Sequence, residues 1–484
     1  MSEQDTLKGK TIKGLSWSAI DNISSYGVSF VVGIVLARLL SPSEYGLIGI
    51  VTIFISVFNT IIDSGLSNAL IRKAKVSTYD YNTVFYINLL FSFVLYVLLF
   101  FVAPSIASFF GQNDLINITR VIGIVLVINS MAIIHRVILI RKIDFRTQTK
   151  ISLYSSIPSG IIGIILALNN YGVWSLVFQQ IIRHCINTSL LWFYSKWIPS
   201  LLFSKNSFFD LFGYGWKLLV SSLLDTLWKE IYQVVIGKFY KVEILGQYTR
   251  AQAYASLFSS NLTNVVSRVS FPVLSSIQDD DIRLKFAYKR VIKSTMFISF
   301  SCMLGLAAVS KALVIVLIGD KWLPCVPFLQ IMCFNMMLYP LHALNLNILQ
   351  VKGRSDLFLK LEIIKKIISI VPILLGIFIG IYTMLVSSVV IGFICYYLNT
   401  VYSGPLLNYA IKEQIIDILP DFIIALIMFL LVYSLSFINI NSYIILPIQV
   451  IVGVFIVIVI SEKVKLTEYL EMKNILINNI SCIF

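Results

Sequence analysis

The sequence has 484 residues, of which 58% are hydrophobic and only 13% are charged. A soluble protein carries about 25% charged residues, so this composition excludes a soluble fold and predicts an all-α integral membrane protein. The net charge of +14 would suggest nucleic-acid binding in a soluble protein, and the location of the charges has to decide between the two interpretations.

Polar interruptions divide the chain into fourteen apolar spans of bilayer length. The first six lie near 14–40, 46–70, 82–103, 116–140, 150–169 and 172–195, the next six near 210–238, 246–275, 286–318, 324–350, 357–381 and 382–407, and the last two near 416–437 and 440–461. The residues before Lys13 are polar, so no cleavable signal peptide is expected. The longest predicted outer loop has about fifteen residues, between Phe101 and Ile116.

Lysine and arginine residues collect in loops of one parity, as expected for cytoplasmic loops. They lie within the segments 8–13, 72–75, 141–150, 196–205, 283–290, 352–354, 412 and 463–473. The loops of the other parity hold only Lys238, Lys241 and Lys321. Both termini are therefore predicted to be cytoplasmic. The net positive charge is therefore explained by basic cytoplasmic loops that lie next to anionic lipid headgroups. No nucleic-acid partner is expected.

A weak internal repeat relates the two halves of the chain. The segments 38–46 and 238–246 match at an offset of 200 residues, and a fainter match at 212 relates the loops before the fifth and eleventh spans. Because each half has six spans and begins in the cytoplasm, the halves are predicted to be parallel repeats. The predicted organisation is a lobe at 1–207, a second lobe at 208–408, two further helices at 409–461 and a cytoplasmic tail at 462–484.

Polar residues occupy one helical face in each of four repeat-related spans. They include Asp21 and Asn22 in the first span, Asn59 and Asp63 in the second, Asp225 and Lys229 in the seventh, and Arg250, Asn261, Asn264 and Arg268 in the eighth. A charge at the bilayer centre costs roughly 2.5 kcal/mol or more, so these faces are predicted to line a hydrophilic cavity between the halves. A structural alternative stays open, because such residues also hydrogen-bond neighbouring helices, and Asp225 and Lys229 are spaced to neutralise each other.

The residues predicted to line the cavity include several cations. These are Lys229, Arg250 and Arg268, and the sixth span adds Arg183. A guanidinium in such a cavity is suited to bidentate binding of phosphate oxygens. Arg268 could instead lie near the cytoplasmic headgroups and extend its side chain to them. Arg120, His135 and Arg136 lie near predicted helix ends, and their side chains are also expected to extend to the headgroups. No catalytic or metal-binding motif is present, and the six cysteines are interpreted as small core residues.

The N-terminal stretch GKTIKGLSWSAIDNISSYGVSFVVGIVLARLLSPSEYGLIGI, followed by SGLSNALIRK, resembles the Wzx-type polysaccharide flippases of the multidrug/oligosaccharidyl-lipid/polysaccharide exporter superfamily. The similarity continues in LGQYTRAQAY and SRVSFPVLSSIQ. The resemblance implies two six-helix lobes around a central cavity and an alternating-access mechanism. It also implies a substrate, an oligosaccharide on undecaprenyl diphosphate, which is moved from the cytoplasmic to the periplasmic leaflet of a bacterial inner membrane.

The resemblance assigns roles to the polar residues. Arg250 is the first choice for phosphate contact, and the other predicted cavity residues are Arg268, Arg183, Lys229, Asn261, Asn264, Asn22 and Asn59. Asp21, Asp63 and Asp225 are candidates for coupling to H⁺, Na⁺ or the membrane potential, and no other cofactor is expected.

Two other functions stay open. A drug or cation antiporter of the same superfamily would favour acidic residues over arginines in the cavity. A membrane polysaccharide polymerase or ligase would need a large external loop, and the predicted outer loops are short. The expected partners are the lipid-linked oligosaccharide, the bilayer and other polysaccharide assembly proteins, and the chain is expected to be a monomer.

Overall fold

The computed structural model describes residues 27–63, 65–438 and 440–481, with side chains to residue 474. Within these ranges every regular element is a helix and no strand occurs, which confirms the predicted all-α class. The chain divides into two compact units, one ending at Gly246 and the other beginning at Gln247. Each unit is described separately.

The first unit contains nine helices and the start of a tenth. They are α1 (Gly27–Leu39), α2 (Pro42–Asp63), α3 (Leu66–Arg72), α4 (Thr78–Phe110), α5 (Leu115–Ile122), α6 (Ile124–Arg141), α7 (Phe145–Leu168), α8 (Val173–Ser195), α9 (Lys205–Phe239) and α10 (Val242–Ser275). α6 packs against α4 and α8, and α2 packs against α9. An apolar core around Leu66, Leu70, Phe85 and Ile134 joins α3, α4 and α6.

The second unit is built around one long helix. It comprises the rest of α10, α11 (Asp281–Ile318), α12 (Cys325–Met336), α13 (Tyr339–Val351), α14 (Ser355–Ile368), α15 (Ile370–Phe378), α16 (Ile381–Ser403), α17 (Ile411–Ser434), α18 (Ser442–Lys463) and α19 (Thr467–Ser481). α11 packs against α12, α13, α17, α18 and α19, while α16 packs against α12, α13 and α15.

Nine helical segments of the described residues are long and apolar enough to cross a membrane. They are 42–63, 78–110, 115–141, 145–168, 281–318, 325–351, 381–407, 411–437 and 442–463. These segments make the chain a multi-pass membrane protein and coincide with nine of the fourteen predicted spans. The other predicted spans correspond to α1, described from Gly27 onward, and to the more polar or broken helices α8, α9, α10 and α14 with α15.

The predicted outer loop between Phe101 and Ile116 is wrong in length. α4 continues through Pro104 to Phe110, which leaves only residues 111–114 outside a helix. Membrane helices tolerate an internal proline, so Pro104 does not end α4. Gly111 does, because it adopts the left-handed region with φ of 67° and its N–H donates to carbonyls of the last helical turn.

Two glycines near the starts of α2 and α10 bring the backbones of these helices together. A Cβ atom on Gly46 would lie 2.0 Å from the Val242 carbonyl oxygen, and one on Gly246 would lie 1.8 Å from that of Pro42. The contact is reciprocal, since Pro42 and Gly46 precede Val242 and Gly246 by the same 200 residues. The offset of the predicted repeat is therefore also the offset of a symmetric contact within the first unit.

Candidate functional site

A polar cavity lies inside the first unit, between α2, α3, α6 and α9. Its volume is about 430 Å³, and its polar lining includes Asn59, Thr60, Asp63, Asn68, Asn129 and Arg136. Cavities of several hundred Å³ with a few polar groups are typical of small-ligand sites. α2 and α6 belong to membrane-spanning segments, so this cavity places polar and charged groups inside a membrane protein.

The break between α2 and α3 exposes the carboxylate of Asp63 to this cavity. Gly65 adopts a left-handed conformation with φ of 67°, and a Cβ there would lie 2.4 Å from the Gly215 carbonyl oxygen of α9. Glycine is therefore required for both the turn and the close approach of α9. The hydroxyl of Ser67, the second residue of α3, donates to the Asp63 carboxylate and fixes its orientation.

Polar side chains of α2 pair with those of its neighbours. Asn129 of α6 donates its amide to the Asn59 oxygen at 2.9 Å, and the Thr60 hydroxyl lies 3.1 Å from that of Thr226 on α9. These hydrogen bonds satisfy amide and hydroxyl groups that would be costly to bury alone. They also hold the three helices around the cavity.

Arg136 of α6 is the principal cation of the cavity. Its side chain is exposed to the cavity, and its charge and that of Asp63 attract each other. Within the described residues no hydrogen bond or ion pair of 4.0 Å or less reaches its guanidinium. A guanidinium held this way inside a membrane protein has five unused donors suited to phosphate or carboxylate oxygens. Arg136, whose position near a helix end predicts contact with the headgroups, lines the cavity instead.

Glu230 of α9 is a second residue that the sequence analysis missed. It accepts a hydrogen bond from the Ser56 hydroxyl at 3.3 Å and one from the Gln233 amide at 2.7 Å. Ser56 lies one turn before Thr60, so the polar contact between α2 and α9 extends beyond the cavity. The polar face predicted for the seventh span included the adjacent Lys229 but not Glu230.

Charged residues also mark the loop after α3. Lys73 lies 2.9 Å from an Asp210 carboxylate oxygen and 3.1 Å from one of Asp80, and the bond to Asp210 raises the pKa of Lys73. Arg141 donates to the carbonyl oxygens of Leu70 and Lys73, both at 2.6 Å, where α3 ends. Lys73 and Arg141, two of the basic residues that define the predicted cytoplasmic loops, therefore also stabilise the C-terminal end of α3.

The structure brings only part of the predicted site together. Asn59 and Asp63 line the cavity, while Asp225 and Lys229 lie on α9 within two turns of the lining residue Ser222. The remaining first-unit candidate, Arg183, is half-buried on α8. Asp21 and Asn22 lie outside the described residues.

The candidates on α10 belong to the second unit. Arg250 is half-buried, and its charge acts on the Cys325 thiol. Asn261 donates to the Leu257 carbonyl of its own helix at 2.6 Å, whereas Asn264 and Arg268 are exposed. Their predicted binding role stays a prediction. In the described part of the chain, no three His, Cys, Asp or Glu side chains are grouped to hold a metal ion.

Comparison with known proteins gives one family and several relatives. Residues 35–327 match the family described as polysaccharide biosynthesis protein. A membrane protein of uncharacterized role from the cps region of Klebsiella pneumoniae is 25% identical over 490 residues, covering 97% of this chain and 98% of that protein. The lipopolysaccharide biosynthesis protein WzxC of Escherichia coli (strain K12) is 25% identical over 377 residues, 77% of this chain and 76% of WzxC.

A further relative is named as a transport protein. The succinoglycan biosynthesis transport protein ExoT of Rhizobium meliloti (strain 1021) is 24% identical over 331 residues, covering 68% of this chain and 67% of ExoT. Among solved structures, the lipid II flippase MurJ in an inward closed conformation aligns with a TM-score of 0.72. The alignment covers 92% of this chain and 97% of MurJ at 16% identity, so it establishes a shared fold.

Proposed function

The chain belongs to the polysaccharide biosynthesis protein family, and we propose that it is a flippase for undecaprenyl-diphosphate-linked oligosaccharides. It moves them by alternating access from the cytoplasmic to the periplasmic leaflet, where they enter surface polysaccharide. The names of the relatives support polysaccharide export, and the fold shared with MurJ is compatible with a lipid-linked substrate. The chain acts as a transporter and not as an enzyme.

The observation that carries this proposal is the cavity with Arg136. A diphosphate needs a cationic group with free donors, and a sugar needs amides and hydroxyls. Arg136 supplies the first requirement, and Asn59, Asn68 and Asn129 supply the second. The carboxylate of Asp63 offsets the positive charge of Arg136 through a longer-range attraction, and Asp63 is a candidate for coupling to H⁺, Na⁺ or the membrane potential.

The proposal includes the finer topology and the remaining residues. The chain has fourteen spans in two six-helix lobes plus two C-terminal helices, and it lies as a monomer in the inner membrane with both termini in the cytoplasm. Arg250, Arg268 and Arg183 contact the phosphates along the transport path, and other polysaccharide assembly proteins act with the flippase. The topology rests on the distribution of basic loops.

Transport by proteoliposomes tests the function directly. The purified chain is reconstituted with an undecaprenyl-diphosphate-linked oligosaccharide, and the fraction of sugar reached by a membrane-impermeant lectin is followed with time. We expect Arg136→Gln to slow transport by about tenfold or more, because the diphosphate loses a charge-assisted contact. Arg136→Lys keeps the positive charge without the bidentate geometry. Its transport rate should lie between those of the parent chain and Arg136→Gln.

Arg120→Gln is the matched control. Arg120 lies in a membrane-spanning segment of the same unit but stacks on the Phe100 ring, outside the cavity. It should transport at the parent rate. No transport by the parent chain would overturn the function, whereas parent-like transport by Arg136→Gln would overturn only the role of the cavity.

A further inference from the structure

Ion pairs join α11 and α17 in the second unit at a spacing of one helical turn. Lys285 lies 2.9 Å from a Glu413 carboxylate oxygen, and Lys289 lies 2.8 Å from one of Asp417. Lysines on α11 and acids on α17 both recur every four residues, so each series keeps to one face of its helix. This parallel register predicts a third pair one turn further along both helices.

The third pair, Lys293 with Asp421, is not formed. Lys293 forms an ion pair with Glu468 of α19, and neither carboxyl oxygen of Asp421 has a hydrogen-bond partner in the described residues. Asp421 is 1% exposed and Glu468 is 4% exposed. Burial of an unpaired carboxylate is costly, so the docked arrangement favours Asp421 as a neutral acid.

α19 covers these groups because it docks on the same face of the unit. Phe297 of α11 and Leu466 share an apolar cluster with Tyr469 of α19. An exposed ion pair of 2.8 Å between Arg290 and Glu471 lies beside it. Exposed ion pairs contribute little, so docking depends mainly on the apolar cluster and on the buried pair of Lys293 and Glu468.

We propose that Asp421 and Glu468 form a proton-binding site beneath α19, and that its proton determines whether α19 stays docked. In the docked state Lys293 pairs with Glu468 while Asp421 carries the proton. When the Asp421 carboxyl releases its proton to water, the carboxylate attracts Lys293, and Glu468 leaves with α19 to be hydrated. The docked state binds one proton more than the undocked state, so rising pH favours undocking. This latch is independent of the transported substrate.

Other titratable groups around α19 do not explain such a response. The Lys473 ammonium donates to Glu462 at 2.6 Å, and this bond raises the pKa of Lys473. Desolvation and Glu462 raise the pKa of Tyr469. Both therefore stay protonated between about pH 6 and about pH 8.5. Among the described residues near this region, Lys289 of α11 is ion-paired with Asp417 of α17, and Arg290 of α11 is ion-paired with Glu471 of α19.

Hydrogen exchange of the full chain in lipid nanodiscs tests the latch. The protection of residues 467–474, corrected for intrinsic exchange, is compared at about pH 6 and about pH 8.5. In the parent we expect protection to fall by about tenfold or more at the higher pH. Asp421→Asn cannot attract Lys293 as a carboxylate does, so α19 should stay protected at both values.

Two further variants make the outcome decisive. Glu468→Gln frees Lys293 for Asp421 and should give low protection at both pH values. Asp417→Asn removes a carboxylate one turn away that already has its own partners, Lys289 and Tyr409, and should keep the parent response. The latch is refuted if the parent shows no pH dependence, if Asp421→Asn keeps it, or if Glu468→Gln stays as protected as the parent.

Discussion

Asn345 is the centre of a buried hydrogen-bonding network in the second unit. Its side-chain oxygen accepts from the Tyr288 hydroxyl at 3.0 Å, the Ser403 hydroxyl at 2.7 Å and the Gln414 amide at 3.4 Å. All four residues are almost completely buried. The network joins α11, α13, α16 and α17, so one amide satisfies donors from three other helices.

Asn345→Leu should destabilise the chain strongly. The substitution leaves three buried donors without an acceptor, and each such group costs about 1–3 kcal/mol, so we expect a loss of about 3 kcal/mol or more. Thermal unfolding of the purified chain in detergent measures this loss as a lower midpoint. Asn264→Leu, at an exposed position, should unfold near the parent temperature. Equal midpoints for both variants would contradict the role of the network.

The polar side chains of α12 and α13 show how much a sequence pattern predicts about single residues. Asn335, His342 and Asn345 recur at helical spacing in the sequence, but this spacing cannot tell which groups their side chains meet. Asn335 donates to Ser388 at 3.2 Å, and His342 lies 3.1 Å from the Asn399 amide. The position of Arg136 near a helix end suggests contact with the headgroups. Its actual surroundings are a cavity that α2, α3 and α9 form with α6, and no local pattern reports that cavity.

At the scale of the element, the sequence predicts where helices run better than where they break. Hydropathy places the second span near 46–70, but the structure divides it into α2 and α3 at Gly65. The break depends on contact with Gly215, which lies about 150 residues away in sequence and is beyond any local pattern. The contact between α2 and α10 is an exception to this limit. Its two glycines are related by the repeat offset of 200 residues, which is visible in the sequence.

Gly246→Ala should disrupt that contact. A Cβ 1.8 Å from the Pro42 carbonyl oxygen cannot be accommodated unless the helix backbones separate, and such overpacking costs about 1–3 kcal/mol. Gly46→Ala should behave alike, because the contact is reciprocal. Gly213→Ala, where a Cβ would meet nothing within 4 Å, is the control and should not be destabilised. Thermal unfolding compares the three, and parent-like stability of Gly246→Ala would show that the helices have room to separate.

At the scale of the whole molecule, the number of spans decides the topology. Nine segments of the described residues are long and apolar enough to cross the membrane, whereas α8, α9 and α10 carry charged and amide side chains that lower their hydropathy. Helices that pack against others can carry polar faces across a bilayer, so composition does not exclude them. The distribution of basic residues predicts that all three cross, because the more basic loops after α8 and after α10 then lie on the cytoplasmic side.

Labelling of single cysteines tests whether α8, α9 and α10 cross the membrane. In a variant without the six native cysteines, single cysteines are placed at exposed positions in the four connecting segments before, between and after α8, α9 and α10: Asn170→Cys, Leu201→Cys, Lys241→Cys and Asp279→Cys. If each helix crosses, a membrane-impermeant maleimide added to intact cells should label positions 170 and 241 and reach 201 and 279 only after permeabilisation. If none crosses, all four positions should label alike, and the fourteen-span topology with both termini in the cytoplasm would be wrong.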